Sequence, residues 1–220
     1  QAVDDWARSL DLGKQTDVIV FDFSKAFDSV PHQRLLAKLN HYGIRGKNLQ
    51  WLQSFLLDRK QRVVLNGSSS PWSPVISGVP QGTVLGPLLF LLYINDIVDN
   101  ITSQVRLFAD DCILYREINT SADVLALQKD IDSFENWAKS WQMSFNSKKC
   151  HSVTITRKQK QILSKYFLGS APLLKQDDFT YLGVTIASDL RWNRHVYNVV
   201  AKATRTLNFI WRNCFRCSLE

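Results

Sequence analysis

The stretch QVRLFADDCILYRE, residues 104–117, decides the fold. Two apolar segments of β-branched and aromatic character, 105–108 and 112–115, flank the adjacent carboxylates Asp110 and Asp111. This pattern predicts an antiparallel hairpin whose tip carries two negative charges. The tip lacks the Asn-Gly or Asp-Gly pair that tight hairpins prefer, so turn formation does not explain the acids. Two carboxylates about 4 Å apart repel by roughly 4 kcal/mol at an effective dielectric near 20, and a divalent cation would offset that repulsion.

A lone Asp-Asp pair is more often a solvated acidic turn, but a matching carboxylate lies upstream. Asp22 stands at the end of the almost continuous apolar run DVIVFDF, residues 17–23, which predicts a strand buried on both faces. If this strand neighbours the hairpin, three carboxylates converge at one edge of the sheet. Such oxygen ligands suit Mg²⁺, which keeps several waters and takes further ligands from substrate phosphates. The alternative is that Asp22 caps the following helix, and spacing alone does not separate the two.

Composition and charge favour a globular protein with a polyanionic partner. The 220-residue chain is 45% hydrophobic and 21% charged, which excludes an intrinsically disordered chain. The net charge is +7, and residues 139–220 alone hold fourteen Lys and Arg against four Asp and Glu. This asymmetry points to nucleic acid, with a solvated basic face as the alternative.

The cysteines and the apolar runs bound the cellular context. The four cysteines form no secreted-type framework, so we expect free thiols in a reducing, intracellular compartment. Cys214-x-x-Cys217 would be half of a zinc site, completed by Cys150, His151 or His195, but no second pair has matching spacing. The longest apolar run, residues 84–94, is too short for a membrane span, and the polar, acidic start predicts no signal peptide.

The periodicities predict an α+β fold with helices packed on an antiparallel sheet. A short helix at 2–12 precedes the strand of Asp22, and a second helix follows that strand. This second helix has Ser29 as its N-cap and Pro31 in its first turn. Its buried face carries Leu35, Leu36, Leu39 and Tyr42. A helix capped by Thr120, with Asp123 three residues on, covers the sheet. The remaining predicted elements are helices at 47–57, 83–97 (apolar nearly all round and therefore central) and 193–214, strands at 61–66, 152–156 and 181–186, and a basic loop at 157–165.

Three motifs in this order resemble those of reverse transcriptases. They are FDFSKAFDSVPH at 21–32, SGVPQG at 77–82 and FADD at 108–111, and the intervening LGPLLFLLYINDI at 85–97 is similar to jockey-like LINE (non-LTR) retrotransposons. The resemblance runs from Asp17 to the last helix. It implies a reverse-transcriptase palm with a partial fingers segment and the start of a thumb. The implied boundaries are 1–176 for the palm with partial fingers, 177–190 for the primer-grip strand region and 191–220 for the start of the thumb.

The resemblance also implies the catalytic residues. Asp22 and Asp110 correspond to the direct metal ligands, the carbonyl of Phe23 to a backbone ligand, and Asp111 to the supporting second acid. The implied cofactor is Mg²⁺, as two ions, with Mn²⁺ as an alternative. Lys149, in FNSKKC with Asn146, corresponds to a lysine proposed to protonate the departing pyrophosphate; a solvated lysine and Lys148 are the alternatives.

The nucleotide-binding and primer-binding residues follow from the same resemblance. Phe27 matches the bulky steric gate that excludes a ribose 2′-hydroxyl, with a core aromatic as the alternative. Gln81, Gly82 and Ala109 match positions beside the incoming nucleotide, and we expect Gln81 and Phe27 to line one cleft. The primer grip corresponds to the stretch Tyr181, Leu182, Gly183 and Val184.

The implied function is an RNA-directed DNA polymerase core that extends a DNA 3′ end on an RNA template with dNTPs. The alternative is a non-catalytic, nucleic-acid-binding remnant or truncated element copy, and a more distant one is a phosphoryl hydrolase with Asp22 as nucleophile. The hydrolase would need a second acid where Ser24 stands. We expect weak polymerisation by this stretch alone, because little of the upstream fingers precedes it. Nuclear residence follows only from the family's way of life, and the oligomeric state is not determined by the sequence.

Overall fold

The computed structural model of the protein describes residues 1–214. The helices are α1 (Ala2–Asp11), α2 (Ala26–Ser29), α3 (His32–His41), α4 (Gly46–Leu56), α5 (Leu85–Ile94), α6 (Ser121–Ser140) and α7 (Asn193–Cys214), and a 3₁₀ turn spans Asn95–Val98. The strands are β1 (Thr16–Asp22), β2 (Lys60–Gln61), β3 (Val64–Leu65), β4 (Ser68–Ser69), β5 (Ser73–Pro74), β6 (Gln104–Phe108), β7 (Asp111–Glu117), β8 (His151–Ile155), β9 (Phe167–Leu168), β10 (Ala171–Pro172), β11 (Leu174–Gln176), β12 (Asp178–Tyr181) and β13 (Val184–Ala187).

Strand β1 is the centre of a five-stranded sheet with the order β11-β8-β1-β7-β6. It pairs antiparallel with β7 on one side and β8 on the other, and β6 and β7 form the predicted hairpin. Only the edge strand β11 is parallel to its neighbour within this sheet. Most of β1 is buried, as its unbroken apolar run predicts.

A large core fills one face of the sheet. Ile19, Phe21 and Leu114 on the strands pack against apolar residues of α3, α4, α5 and α6. The Phe21 ring stacks on Phe134 of α6 with 5.0 Å between centroids. Helix α6 begins with the predicted capping box, in which Thr120 and Asp123 exchange hydrogen bonds. The predicted covering helix is therefore confirmed.

A smaller core lies on the opposite face. Trp6 of α1 is fully buried and meets Tyr115 edge-on at 5.5 Å and Phe179 of β12 at 5.9 Å between ring centroids. Val18 and Ile113 of the sheet complete the contact. The α+β class with an antiparallel-dominated sheet and an acidic hairpin is confirmed, and α1 together with the β12–β13 hairpin covers part of the second face.

Two predicted strands are wrong because neither is continuous. The predicted strand 61–66 is interrupted at Arg62 and Val63, between β2 and β3, and Asn66 and Gly67, with positive φ of 49° and 80°, form the tight hairpin turn between β3 and β4. In 181–186, Leu182 and Gly183 have φ of 49° and 78° and form the turn between β12 and β13. Tyr181 and Val184 thus face each other across a hairpin instead of lying along one strand.

Two helix predictions also need correction. The helix predicted at 83–97 is α-helical only over α5, and one side of it is exposed, with Leu88 50% and Leu91 45% accessible. The helix lies at the margin of the large core and not at its centre, so burial alone does not explain why nearly all of its residues are apolar. Ser29 is not the N-cap of α3, because it ends α2 and its hydroxyl donates to the Ala26 carbonyl.

Pro31 and Tyr42 differ from prediction at the two ends of α3. Pro31 is the residue before the first helical turn, and its carbonyl accepts the Leu35 amide proton at 3.0 Å. Tyr42 is 40% exposed just beyond the last turn, although Leu35 and Leu39 are fully buried as predicted. None of the described helices is both long and apolar enough to cross a bilayer.

We predict that Phe134→Ala lowers the free energy of unfolding by about 3–5 kcal/mol, because it leaves a cavity beneath Phe21. Leu125→Ala in the same helix is the matched control, since Leu125 is 71% exposed, and should change stability by less than about 0.5 kcal/mol. Urea unfolding followed by circular dichroism measures both. Equal losses in the two variants would contradict the assignment of the large core.

Candidate active site

The tip of the β6–β7 hairpin holds its acids on a strained turn. Ala109 lies between Phe108 and Asp111 with φ of 51°, in the left-handed region that a non-glycine residue occupies at a cost of about 1–2 kcal/mol. Asp110 follows in the same turn and is exposed. Backbone strain of this kind clusters at functional sites. The turn therefore keeps two adjacent carboxylates at the surface of the sheet end.

The strand register brings Asp22 to these acids. Asp22 and Asp111 are Cα partners at the last position of the β1–β7 ladder. Directly opposed residues in an antiparallel pair project to the same face. Two positions earlier, Val20 and Ile113 are also opposed and belong to the smaller core, so Asp22 and Asp111 share that face. The expected meeting of the first motif with the hairpin tip is present in the fold.

The electrostatics of Asp111 report this crowding. Partial burial raises the pKa of Asp111 above its ordinary value of 3.8, and the charges of Asp110 and Asp22 raise it further. Each of these causes destabilises the ionised carboxylate. The three acids thus form one coupled negative site.

Lys149 supplies the positive charge beside Asp22. Its Nζ lies 3.2 Å from Asp22 Oδ2, and the pair is partly exposed to solvent. A turn aims the side chain, because the Asn146 amide donates to the Asp22 carbonyl at 2.8 Å and the Lys149 amide donates to the Asn146 carbonyl at 2.9 Å. Between the adjacent lysines, it is therefore Lys149 and not Lys148 that contacts the site. The catalytic role of Lys149 stays a prediction.

The alternative that Asp22 caps a helix is wrong. The residue that precedes α2 is Lys25, and no side chain caps this helix. The Asp22 carboxylate instead accepts a hydrogen bond from Lys149. The backbone amide of Asp22 donates to the Cys150 sulfur at 3.4 Å. Asp22 is thus free to serve chemistry at the sheet end.

The zinc alternative finds no support in the described residues. The Cys150 sulfur is buried and accepts a hydrogen bond from the Asp22 amide at 3.4 Å. His195 accepts a hydrogen bond from the Thr185 amide, and Cys214 is exposed at the end of α7. Cys217 lies outside the described residues.

The chemistry of the acids fits a hard divalent cation in an open site. Within residues 1–214, no group of three or more His, Cys, Asp or Glu side chains is arranged to hold a metal by itself. Mg²⁺ needs no such cage, because it binds one or two carboxylates and completes its shell with water and phosphate oxygens. The ammonium of Lys149 shows that a positive charge is accommodated at Asp22. Asp22 and Asp110, with the Phe23 carbonyl, would be the protein ligands.

The motif of Phe27 contacts the motif of Gln81. Gln81 Nε2 donates to Asp28 Oδ1 at 3.0 Å, and the Val79 amide donates to the Phe27 carbonyl at 2.8 Å. Gly78, with φ of 88°, packs so closely that a Cβ would lie 2.7 Å from Asp28 Cα. Sequence reasoning missed Asp28 and Gly78 as the contact between the two motifs, although both stand inside them.

Phe27 is packed against a neighbouring ring, whereas the space around Gly82 is open. The Phe27 ring stacks on Phe90 of α5 with centroids 4.5 Å apart. One face of the ring therefore packs as a core aromatic would, as the alternative predicted. Gly82 has φ of 77°, and a Cβ there would meet nothing within 4 Å. The space beside Gly82 is open, as close approach of a ligand to the backbone requires. The gate and nucleotide-contact roles stay predictions.

The predicted primer-grip residues lie on the same face as the acids. Partial burial raises the pKa of Tyr181, and the charge of Asp111 raises it further, which places this phenol near the acidic pair. Leu182 and Gly183 form the turn beyond it. Phe179 and Ile186 anchor the hairpin in the smaller core. Tyr181, which precedes the β12–β13 turn, therefore lies on the same side of the sheet as the acids.

Comparison with known proteins gives one consistent family. A model of the family described as reverse transcriptase (RNA-dependent DNA polymerase) matches residues 4–186. The RNA-directed DNA polymerase from mobile element jockey of Drosophila melanogaster is 30% identical over 200 residues, covering 86% of this chain and 22% of that protein. The probable RNA-directed DNA polymerase from transposon X-element of the same species is 30% identical over 187 residues, covering 82% and 20%. The chain thus spans about a fifth of the length of these relatives.

Solved structures agree at the level of the fold. Telomerase from Candida albicans, in complex with a TWJ fragment of telomeric RNA, superposes with a TM-score of 0.58 at 14% identity, over 86% of this chain and 32% of that one. Apo telomerase from Candida tropicalis gives 0.57 at 13% identity, over 86% and 34%. At such identity the likeness concerns the fold alone.

We predict that Asp111→Asn raises the melting temperature of the metal-free protein by a few degrees at pH 7.5. Because folding raises the pKa of Asp111, its charge opposes folding above that pKa, and the cost disappears below the ordinary value of 3.8, where both states are protonated. The gain should therefore shrink as the pH falls toward that value. Thermal melts in EDTA test this, with exposed Asp11→Asn as the control. A gain that does not depend on pH would contradict the coupling of the acids.

We predict that Lys149→Met tightens Mn²⁺ binding about thirtyfold, because a single positive charge some 4 Å away opposes a divalent cation by about 2 kcal/mol even in water. Lys148→Met is the matched control and should have a smaller effect. Titration of free Mn²⁺ by electron paramagnetic resonance measures the affinities without any turnover. Equal effects of the two substitutions would show that the Lys149–Asp22 contact is irrelevant to the cation.

Proposed function

The chain belongs to the reverse transcriptase (RNA-dependent DNA polymerase) family, and on that premise we propose that it is the catalytic core of an RNA-directed DNA polymerase of a non-LTR retrotransposon. It extends a DNA 3′ end on an RNA template with deoxynucleoside triphosphates. The observation that carries this proposal is the register that sets Asp22 opposite Asp111, because it unites motifs nearly ninety residues apart at one end of the sheet.

The reaction is an in-line displacement at phosphorus. The primer 3′-hydroxyl gives up its proton to water, and its oxygen forms a bond to the α-phosphorus of the incoming nucleotide. The bond from that phosphorus to the bridging oxygen breaks, and pyrophosphate leaves. Divalent cations, two Mg²⁺ or Mn²⁺, activate the hydroxyl and stabilise the leaving oxygen when bound. Asp22 and Asp110 would hold them with the Phe23 carbonyl, and Asp111 would support the pair.

The remaining residues orient the reactants and move a proton. Lys149 donates a proton to the departing pyrophosphate, for which it must leave its contact with Asp22. Gln81, Gly82 and Ala109 contact the incoming nucleotide. Phe27 rejects a ribose 2′-hydroxyl by its bulk.

The primer and template lie across the second face of the sheet. Tyr181, Leu182 and Gly183 hold the primer strand near the acids, which the effect of Asp111 on the pKa of Tyr181 supports. The basic residues of α7, Arg194, Lys202, Arg205 and Arg212, contact phosphates, and such contacts make binding dependent on salt. In this proposal residues 1–176 form the palm with partial fingers, 177–190 the primer-grip region and 191–220 the start of the thumb. The protein acts inside the cell, in the nucleus, as part of a longer element protein.

We predict that Asp110→Asn and Asp22→Asn each reduce single-nucleotide incorporation by roughly 10²–10³-fold or more, because each removes a charge that the transition state requires. The assay uses an RNA template with a recessed DNA primer and Mg²⁺ or Mn²⁺. Exposed Asp11→Asn is the control and should retain activity.

Two results would contradict the proposal. Activity that survives in Asp110→Asn would remove the hairpin from the chemistry. Tight primer–template binding by the unsubstituted chain with no incorporation under any metal would favour the alternative, a non-catalytic nucleic-acid-binding remnant.

A further inference from the structure

Asp28 is an exposed acid in α2, one residue after Phe27, and its carboxylate binds the side chain of Gln81. Its Oδ1 accepts a hydrogen bond from Gln81 Nε2 at 3.0 Å. No ion pair within residues 1–214 includes Asp28, and no side chain caps α2. Neither a salt bridge nor helix capping therefore explains an acid at this position, which leaves its contact with Gln81.

The backbones that carry Asp28 and Gln81 are held tightly together. Ser77 Oγ donates to the Asp28 carbonyl at 2.8 Å, and the Gly78 amide donates to the Val30 carbonyl at 2.8 Å. A Cβ at Gly78 would lie 2.7 Å from Asp28 Cα, so this approach requires glycine. The Asp28 carboxylate is thus built into a fixed place beside the segment that leads to Gln81.

A second set of contacts holds this segment at the Gly78 carbonyl. The carbonyl oxygen lies 2.8 Å from Nε2 of His32 and 3.1 Å from Nη2 of Arg59. Because a carbonyl only accepts hydrogen bonds, both nitrogens donate to it. The His32 side chain is itself buried at the start of α3. Gln81 follows three residues later, on a backbone that is fixed from two sides.

The charge of Asp28 decides which end of the Gln81 side chain it binds. An ionised carboxylate accepts hydrogen bonds and donates none, whereas a carboxamide has a donor end and an acceptor end. Only the Nε2 end of Gln81 therefore pairs with Asp28, and Oε1 is turned away from it. An uncharged partner such as asparagine could pair with either end. The negative charge thus selects one of the two orientations of the carboxamide.

We propose that Asp28 is a positioning residue, which holds the Gln81 carboxamide in a single orientation and leaves Oε1 free to accept a hydrogen bond from the incoming nucleotide. This inference rests on the proposed polymerase function, in which Gln81 contacts that nucleotide. A side chain that is ordered before binding loses less conformational freedom when the ligand arrives, and for one long side chain this corresponds to about 3- to 10-fold in affinity. Asp28 acts through Gln81 and does not touch the reacting atoms.

Nucleotide affinity measured without turnover tests the proposal. A primer that ends in a dideoxynucleotide cannot be extended, so the next complementary nucleotide binds with Mg²⁺ and stays unreacted. Its dissociation constant is read from the anisotropy of a fluorescein-labelled primer–template retained by the protein. Asp28→Leu should raise that constant about 3- to 10-fold, because leucine has a similar size but cannot accept a hydrogen bond. Asp28→Asn should lose less, since its Oδ1 still accepts from Nε2 in one orientation.

A double-mutant cycle separates positioning from other effects of the lost charge. Gln81→Met keeps the length of the side chain but has no carboxamide to orient. In that background Asp28→Leu should change the dissociation constant by less than about twofold. Losses that multiply would show that Asp28 acts independently of Gln81, and an unchanged constant in Asp28→Leu alone would show that it does not act at all. Either result overturns the proposal.

Asp132 on α6 offers a matched control. It is exposed and accepts a hydrogen bond from Gln128 Nε2 at 2.8 Å, as Asp28 does from Gln81. Asp132→Leu therefore removes the same kind of contact outside the three motifs and should leave the nucleotide affinity unchanged. An equal loss in Asp132→Leu and Asp28→Leu would contradict a specific role of Asp28. Circular dichroism checks that every variant folds.

The Gln81 carboxamide is also observable without any nucleotide. In a nitrogen–proton correlation spectrum, the side-chain amide signals of Gln81 should shift in Asp28→Leu and not in Asp132→Leu. Unchanged signals would overturn the proposal whether or not the chain polymerises. A chain that shows full coupling between Asp28 and Gln81 but no incorporation on an extendable primer would keep the positioning role and contradict the catalytic one.

Discussion

The antiparallel register of β1 with β7 is the constraint on which the candidate site depends. It places Asp22 opposite Asp111 at the last pair of the ladder and leaves Asp110 in the adjoining turn. A shift of one residue would turn Asp22 toward the large core and separate the acids. Partial burial, and then the repulsion that this register imposes, raise the pKa of Asp111. Lys149 offsets part of the negative charge from the side of Asp22. The site is therefore poised to gain from a cation.

The rest of the fold fixes that register from both faces. On one face Phe21, beside Asp22, stacks on Phe134 of α6 and packs at a tilt against Phe145, which precedes the turn that carries Lys149. On the other face Trp6 packs against Tyr115 and Phe179, which holds the β12–β13 hairpin near the acids. Burial on both faces means that neither strand can slip without exposing its apolar residues. The strain at Ala109 is tolerated because these contacts determine the strand ends.

The sequence predicted the parts of the fold in which local pattern and burial agree. The buried strand of Asp22, the acidic hairpin and the capped helix α6 each have an unambiguous period, and the three motifs identify the family. The two wrong strands share one physical cause, a break inside a run of strand-forming residues. In 61–66 the pairing partner changes at Arg62 and Val63, from β5 for β2 to β4 for β3, and in 181–186 a leucine at positive φ, Leu182, gives no signal in advance. The choice between Lys148 and Lys149 depends on the turn at Asn146, and the link between Asp28 and Gln81 depends on tertiary packing. Neither was accessible to periodicity.

The central claim is that Asp22 and the hairpin acids act as one cation site at the end of the sheet. Anomalous diffraction from a crystal soaked in Mn²⁺ tests it most directly. The account predicts an anomalous peak in contact with the carboxylates of both Asp22 and Asp110, with Lys149 displaced from its position 3.2 Å from Asp22. A well-diffracting crystal with no peak there, or with a peak that contacts only one of the two strands, would contradict it.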